Sequence, residues 1–215
     1  MIDAVNIQKF WAGFIDHLDP PGVLGTAHQL EQAAGHLSKF APPLTAECVE
    51  VRGGLELTIT ANGVLRHFPM ARAVAAGSPG LPGLQVRALR AARPIAETIR
   101  FGTVETPVEN VRVHVHSLLS RSGILLLTSG VKIDDYVLFR NCGQRIVMDV
   151  VGEDRFGAFV TDVQVMDHAD WDVGAEGASS HPLSELLHIL PPAPAVPRRA
   201  AGRMLEVIET PRQVA

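Results

Sequence analysis

With 215 residues, 47% of them hydrophobic, the chain is long enough for one large domain or two small ones and too apolar for disorder as its whole-chain state. Its 23 acidic residues outnumber 19 basic ones for a net charge of -4, so it lacks the basic excess that grips a phosphate backbone, and nucleic acid is not an expected partner. Its longest apolar run, around Gly123-Ile124-Leu125-Leu126-Leu127, is too short to cross a bilayer, so no membrane partner is expected either. No basic stretch precedes an apolar one after Met1, so no signal peptide is visible and a cytoplasmic location is expected.

In chain order, Val5 to Leu18 reads as a helix, with Ile7, Phe10, Trp11, Phe14 and Leu18 on one face. Asp19-Pro20-Pro21-Gly22 ends it. Leu24 to Phe40 reads as a second helix, stopped by Ala41-Pro42-Pro43. Two strands follow, through Cys48, Val49 and Val51 and then Leu55, Leu57 and Ile59, joined by Arg52-Gly53-Gly54 and closed by Asn62-Gly63. Phe68 to Ala76 suits a short helix and Leu84 to Leu89 a third strand. Arg93-Pro94 marks the boundary between a first αβ unit, residues 1–93, and a second, residues 94–190.

In the second unit Val111 to His116 alternates as a strand and Gly123 to Val131 is another. Asp134 to Val151 reads as a helix with Asp134 as its N-cap and Gly152 at its C-terminal end. Glu153-Asp154 starts a turn, Ala158 to Met166 is a strand, residues 169–180 form a loop, and Pro182 to Leu187 is a short helix with proline first. The order strands, helix, strand thus echoes the first unit, without a repeat at the level of residues. Residues 191–215 begin as a proline-rich linker, and Met204 to Ile208 would add an edge strand or pair with a second copy. The expected class is α+β, with N-terminal helices packed on a mainly antiparallel sheet.

Three stretches carry a family resemblance: Leu55 to Gly63, Ala75 to Arg90 with its Ser78-Pro79-Gly80-Leu81-Pro82-Gly83 turn, and Val147 to Val163, where a helix ends in Gly152-Glu153 and a strand follows. They resemble a group of bacterial α+β domains of unknown function, some of which sit near secretion or toxin gene clusters. Leu84 stands where that pattern has an aromatic residue. The resemblance implies an α+β fold and no established activity.

Candidate chemistry is sparse. His114 and His116, at i and i+2 on a strand, point the same way and form the one candidate pair of metal ligands; polar strand surface is the simpler reading. The run Asp167-His168-Ala169-Asp170-Trp171-Asp172 gathers carboxylates but lacks the spacing of a calcium loop. Cys48 and Cys142 share no metal or redox spacing and read as buried apolar residues. No serine sits in a nucleophile-elbow context and no glycine-rich phosphate loop appears. The acidic stretch from Asp149 to Glu176 is expected to pair with Arg87, Arg90, Arg93 and Arg100, within the chain or between chains. The expected function is a non-enzymatic accessory or immunity-type interaction module with no catalytic residues and no cofactor, whose partner is another protein or a second copy. The alternative is a metal-dependent enzyme or small-ligand binder using His114 and His116.

Overall fold

The computed structural model describes residues 3–18, 24–118, 121–131, 135–171 and 179–192. It is an α+β protein. Helix α1, Ala4–Asp16, begins where Asp3 accepts the Asn6 amide at 2.7 Å, and it buries Phe10, Trp11 and Phe14. Its Trp11 indole N–H donates to the Val74 carbonyl at 2.9 Å, so the buried ring leaves no donor unpaired. The expected helix from Leu24 to Phe40 is two pieces. Helix α2, Ala27–Ala34, starts on a capping box between Thr26 and Gln29, and helix α3, Leu37–Phe40, follows a break at Gly35-His36. There the Gly35 amide turns back to the Gln32 carbonyl at 3.0 Å, and glycine is the weakest helix former apart from proline.

Strands β1, Thr45–Val51, and β2, Gly54–Thr60, pair antiparallel across the expected Arg52-Gly53 turn. Helix α4, Phe68–Ala76, carries the chain back so that β3, Leu84–Ala88, lies parallel to β2. This gives a three-stranded sheet in the order β1-β2-β3. Leu57 and Ile59 are fully buried, in one apolar cluster with Phe68, Ala71 and Val74 of α4 and the aromatic residues of α1.

A hairpin of β4, Thr98–Phe101, and β5, Val104–Pro107, turns at Gly102, where φ is +61°. It occupies a stretch in which the sequence pattern marks no element. Strand β6, Arg112–Leu118, pairs antiparallel with β7, Arg121–Thr128. Helix α5, Tyr136–Val151, then crosses over to β8, Val160–Asp167, which lies parallel to β7. Strand β9, His181–Pro182, adds to the free side of β6, for an order of β8-β7-β6-β9. Val113, Ile124, Leu126, Val163 and Val165 face α5 in a second apolar cluster.

Both halves therefore share one topology. An antiparallel hairpin is followed by a helical crossover to a strand parallel to the hairpin's second strand. The echo in the sequence is a repeat of architecture.

Three local expectations need correction. Helix α5 starts at Tyr136 behind Asp135, which makes no side-chain capping bond; Asp134 lies outside the described residues. Glu153-Asp154 opens a further helix, α6, Glu153–Phe159, because Gly152, at φ +81°, redirects the chain without ending helical structure. Pro182 closes β9, so the short C-terminal helix α7 is confined to Leu186–Ile189 behind a 3-10 turn. The call on Met204 to Ile208 falls outside the described residues. No helix among the described residues is long and apolar enough to cross a membrane.

Candidate functional site

The sheet of the second unit has one face under α5. Its other face carries Arg112, His114 and His116 from alternate positions of β6, with Leu125 and Gly123 directly across from the two histidines. The His114 and His116 rings run nearly parallel, 21° apart with centroids 6.0 Å apart, and Trp171 leans on His114 at 5.9 Å. The His116 imidazole lies over the bare Gly123, and a Cβ there would push the ring aside. The Ser179 carbonyl lies 2.8 Å from His114 Nδ1. A carbonyl only accepts, so Nδ1 is the nitrogen that donates to it. Arg112 is held beside it by the Ser180 carbonyl at 2.5 Å. The pair expected from the sequence thus shares a face. Among the described residues no group of three or more His, Cys, Asp or Glu side chains comes together as a metal site.

Of the acidic run that follows, Asp167 is spent locally. It accepts the Gly130 amide at 2.6 Å and the Ala169 amide at 2.9 Å, and these backbone bonds hold its carboxyl below the usual range. The cysteines are free thiols. Cys48 is buried, which pushes its thiol up to about 11, and Cys142 is half-buried.

The densest polar constellation lies elsewhere, where the two units meet. Glu153, at the start of α6, is fully buried. One of its oxygens accepts the Ala61 amide at 2.8 Å and the Gly63 amide at 3.0 Å. The other accepts the Thr60 hydroxyl at 2.8 Å and the Arg90 amide at 2.9 Å. Nearby, Glu47 of β1 is gripped by the Arg90 guanidinium and by both terminal nitrogens of Arg145, at 2.5 and 2.9 Å. Burial alone would push the Glu47 carboxyl up, but the hydrogen bonds and charges of Arg90 and Arg145 outweigh it and hold it at about 2. Arg145 also reaches Asp149 at 3.1 Å, and Arg72 reaches Asp154 at 2.5 Å.

Within the chain these contacts revise the expected charge pairing. Arg87, Arg90 and Arg100 bind Glu56, Glu47 and Glu105, while Asp149, Asp154 and Asp162 of the acidic stretch bind Arg145, Arg72 and Arg140. Glu47 carries no signal in the sequence, and Glu153 shows there only as one of a carboxylate pair read as the start of a turn. Carboxylate partners 43 to 98 positions away leave no local pattern.

Of the six exposed large hydrophobic residues among those described, Val5, Val64 and Leu65 lie in the first unit and the other three lie together at the start of α5. Tyr136, Val137 and Leu138 are consecutive and 43%, 70% and 46% exposed. Leu138 lies against Gly102 of the β4–β5 turn.

Comparison with known proteins returns no matching family model, no matching curated protein and no matching solved structure.

Proposed function

We propose that the chain is a non-enzymatic protein-interaction module whose partner is another protein or a second copy of itself. The observation that carries this is the run Tyr136-Val137-Leu138. Three consecutive large apolar side chains face water at one helix start, beside a hairpin turn. Contiguous exposed apolar surface of this kind marks contact sites on proteins. The half-buried Glu47 and the fully buried Glu153 are engaged in joining the units, which supports a scaffold role for these carboxylates. The finer assignment, an accessory or immunity-type protein of the bacterial cytoplasm, draws on the resemblance of the turn motifs alone.

The test is a Val137→Asp variant, compared with the wild type by light scattering and as bait in an affinity capture from the native host. Self-association or a stoichiometric protein partner that is lost in the variant, at unchanged circular dichroism, supports the reading. Identical behaviour of the two proteins overturns it.

A second reading is a metal or small-ligand site at His114 and His116. It is favoured by the Ser179 carbonyl, which engages His114 Nδ1 and leaves Nε2 as the nitrogen that would bind, as carbonyls do behind metal-binding histidines. Zinc or nickel titration of untagged protein by calorimetry, beside His114→Ala, tests it; equal heats from the two proteins would remove it.

A further inference from the structure

We infer that the first unit contains a carboxylate-binding nest, and that the chain fills it with its own Glu153. The nest lies at the carboxyl ends of the parallel strands β2 and β3, the place where sheets with helical crossovers bind their ligands. Its donors are three main-chain amides, those of Ala61, Gly63 and Arg90, and the Thr60 hydroxyl. They fall two to each oxygen, which matches the four acceptor sites of one carboxylate. Thr60 has a single proton, and its oxygen already accepts the Asn62 amide at 3.0 Å, so that proton is committed to the guest.

The backbone is bent to make this cradle. Asn62 at φ +53° and Leu89 at +66° are the only non-glycine residues with positive φ among those described, and Gly63 sits at +77°. All three are donors or immediate neighbours of donors to the same carboxylate. Successive amides turned inward by left-handed residues form anion-binding concavities. A branched, 2%-exposed leucine in that conformation is backbone strain gathered at one site.

The guest comes from the other unit. Glu153 lies 63 to 93 positions beyond its partners and stands on α6. Its own amide donates to the Arg90 carbonyl at 2.9 Å, so side chain and main chain enter together. Because three of the four donors are main-chain amides, the nest does not depend on residue 153. Removing that side chain leaves a site of the same chemistry, selective for a small carboxylate over a spherical anion.

The experiment uses the full chain with Glu153→Ala and Glu153→Gln, and sodium formate as the probe against sodium chloride at equal ionic strength. We expect formate to raise the unfolding temperature of Glu153→Ala saturably, with little effect on the wild type or on Glu153→Gln, whose amide still fills the space. In Glu153→Ala the amide resonances of Ala61, Gly63 and Arg90 shift with the same midpoint. A formate response no larger than that of the wild type, or one matched by chloride or by Glu153→Gln, overturns the inference. If Glu153→Ala does not fold in chloride, its refolding yield is the readout. Recovery in formate upholds the nest, and no recovery in formate overturns it.

Discussion

Arg90 and Glu153 hold each other in both directions. The Arg90 amide donates to the Glu153 carboxylate at 2.9 Å, and the Glu153 amide donates to the Arg90 carbonyl at 2.9 Å. The Arg90 side chain, 2% exposed, turns the other way to Glu47, and Glu47 in turn binds Arg145 of α5. Arg90, two residues past β3, thus ties the end of the first sheet to both helices of the second unit's crossover.

The Glu47 carboxyl, ordinarily near 4.5 and held at about 2, makes stability depend on pH. A depressed carboxyl stabilises the fold above its unfolded value, and that contribution is lost as pH falls through the folded value. The gap between wild type and Glu47→Gln, measured by urea unfolding, is expected to be on the order of 3 kcal/mol at pH 7. It shrinks as pH drops from about 4.5 toward 2. A gap independent of pH would contradict this account.

Two buried threonines should respond oppositely to valine. Thr60→Val deletes the hydroxyl that donates to Glu153 and is expected to cost about 1–3 kcal/mol. Thr128, also fully buried, has a hydroxyl with no hydrogen-bond partner among the described residues. Thr128→Val is therefore expected to be neutral or stabilising, because it removes an unpaid desolvation. Denaturant midpoints of the two variants decide the matter.

Gly143 lies mid-way along α5, where alanine would ordinarily favour the helix by about 1 kcal/mol. Here a Cβ would come within 2.6 Å of a Val165 methyl and 3.3 Å of one from Val163. Overpacking of this kind costs about 1–3 kcal/mol, so Gly143→Ala is expected to lower the unfolding temperature. An increase would mean that α5 and β8 separate more easily than their packing implies.

The two thiols differ in accessibility. Cys48 is buried with its thiol pushed up to about 11, whereas Cys142 is half-buried. A thiol-specific disulfide reagent is expected to modify Cys142 first in the native protein and to reach Cys48 only on unfolding, as read by mass spectrometry of the labelled peptides. Early labelling of Cys48 would show that β1 opens locally.

Most elements were legible because they are written in nearest-neighbour terms. The apolar stripe of Phe10, Trp11 and Phe14 specifies one face of α1, alternation at Leu55, Leu57 and Ile59 specifies β2, and Arg52-Gly53-Gly54 specifies the turn before it. The shared face of His114 and His116 follows from their spacing alone. The break at Gly35, the β4–β5 hairpin and helix α6 were not legible, since short elements carry too few periods to separate from loop.

Local pattern by itself thus determined the α+β class, the order of the longer helices and strands, and the faces they bury. Only the tertiary structure decided that β3 and β8 pair parallel to β2 and β7, and that Glu153 seats between Thr60, Ala61, Gly63 and Arg90. The reason is physical. Strand direction and buried-charge pairing depend on which distant segments helical crossovers bring together, and a carboxylate becomes a structural tie only once burial removes its water and leaves those four donors as its partners.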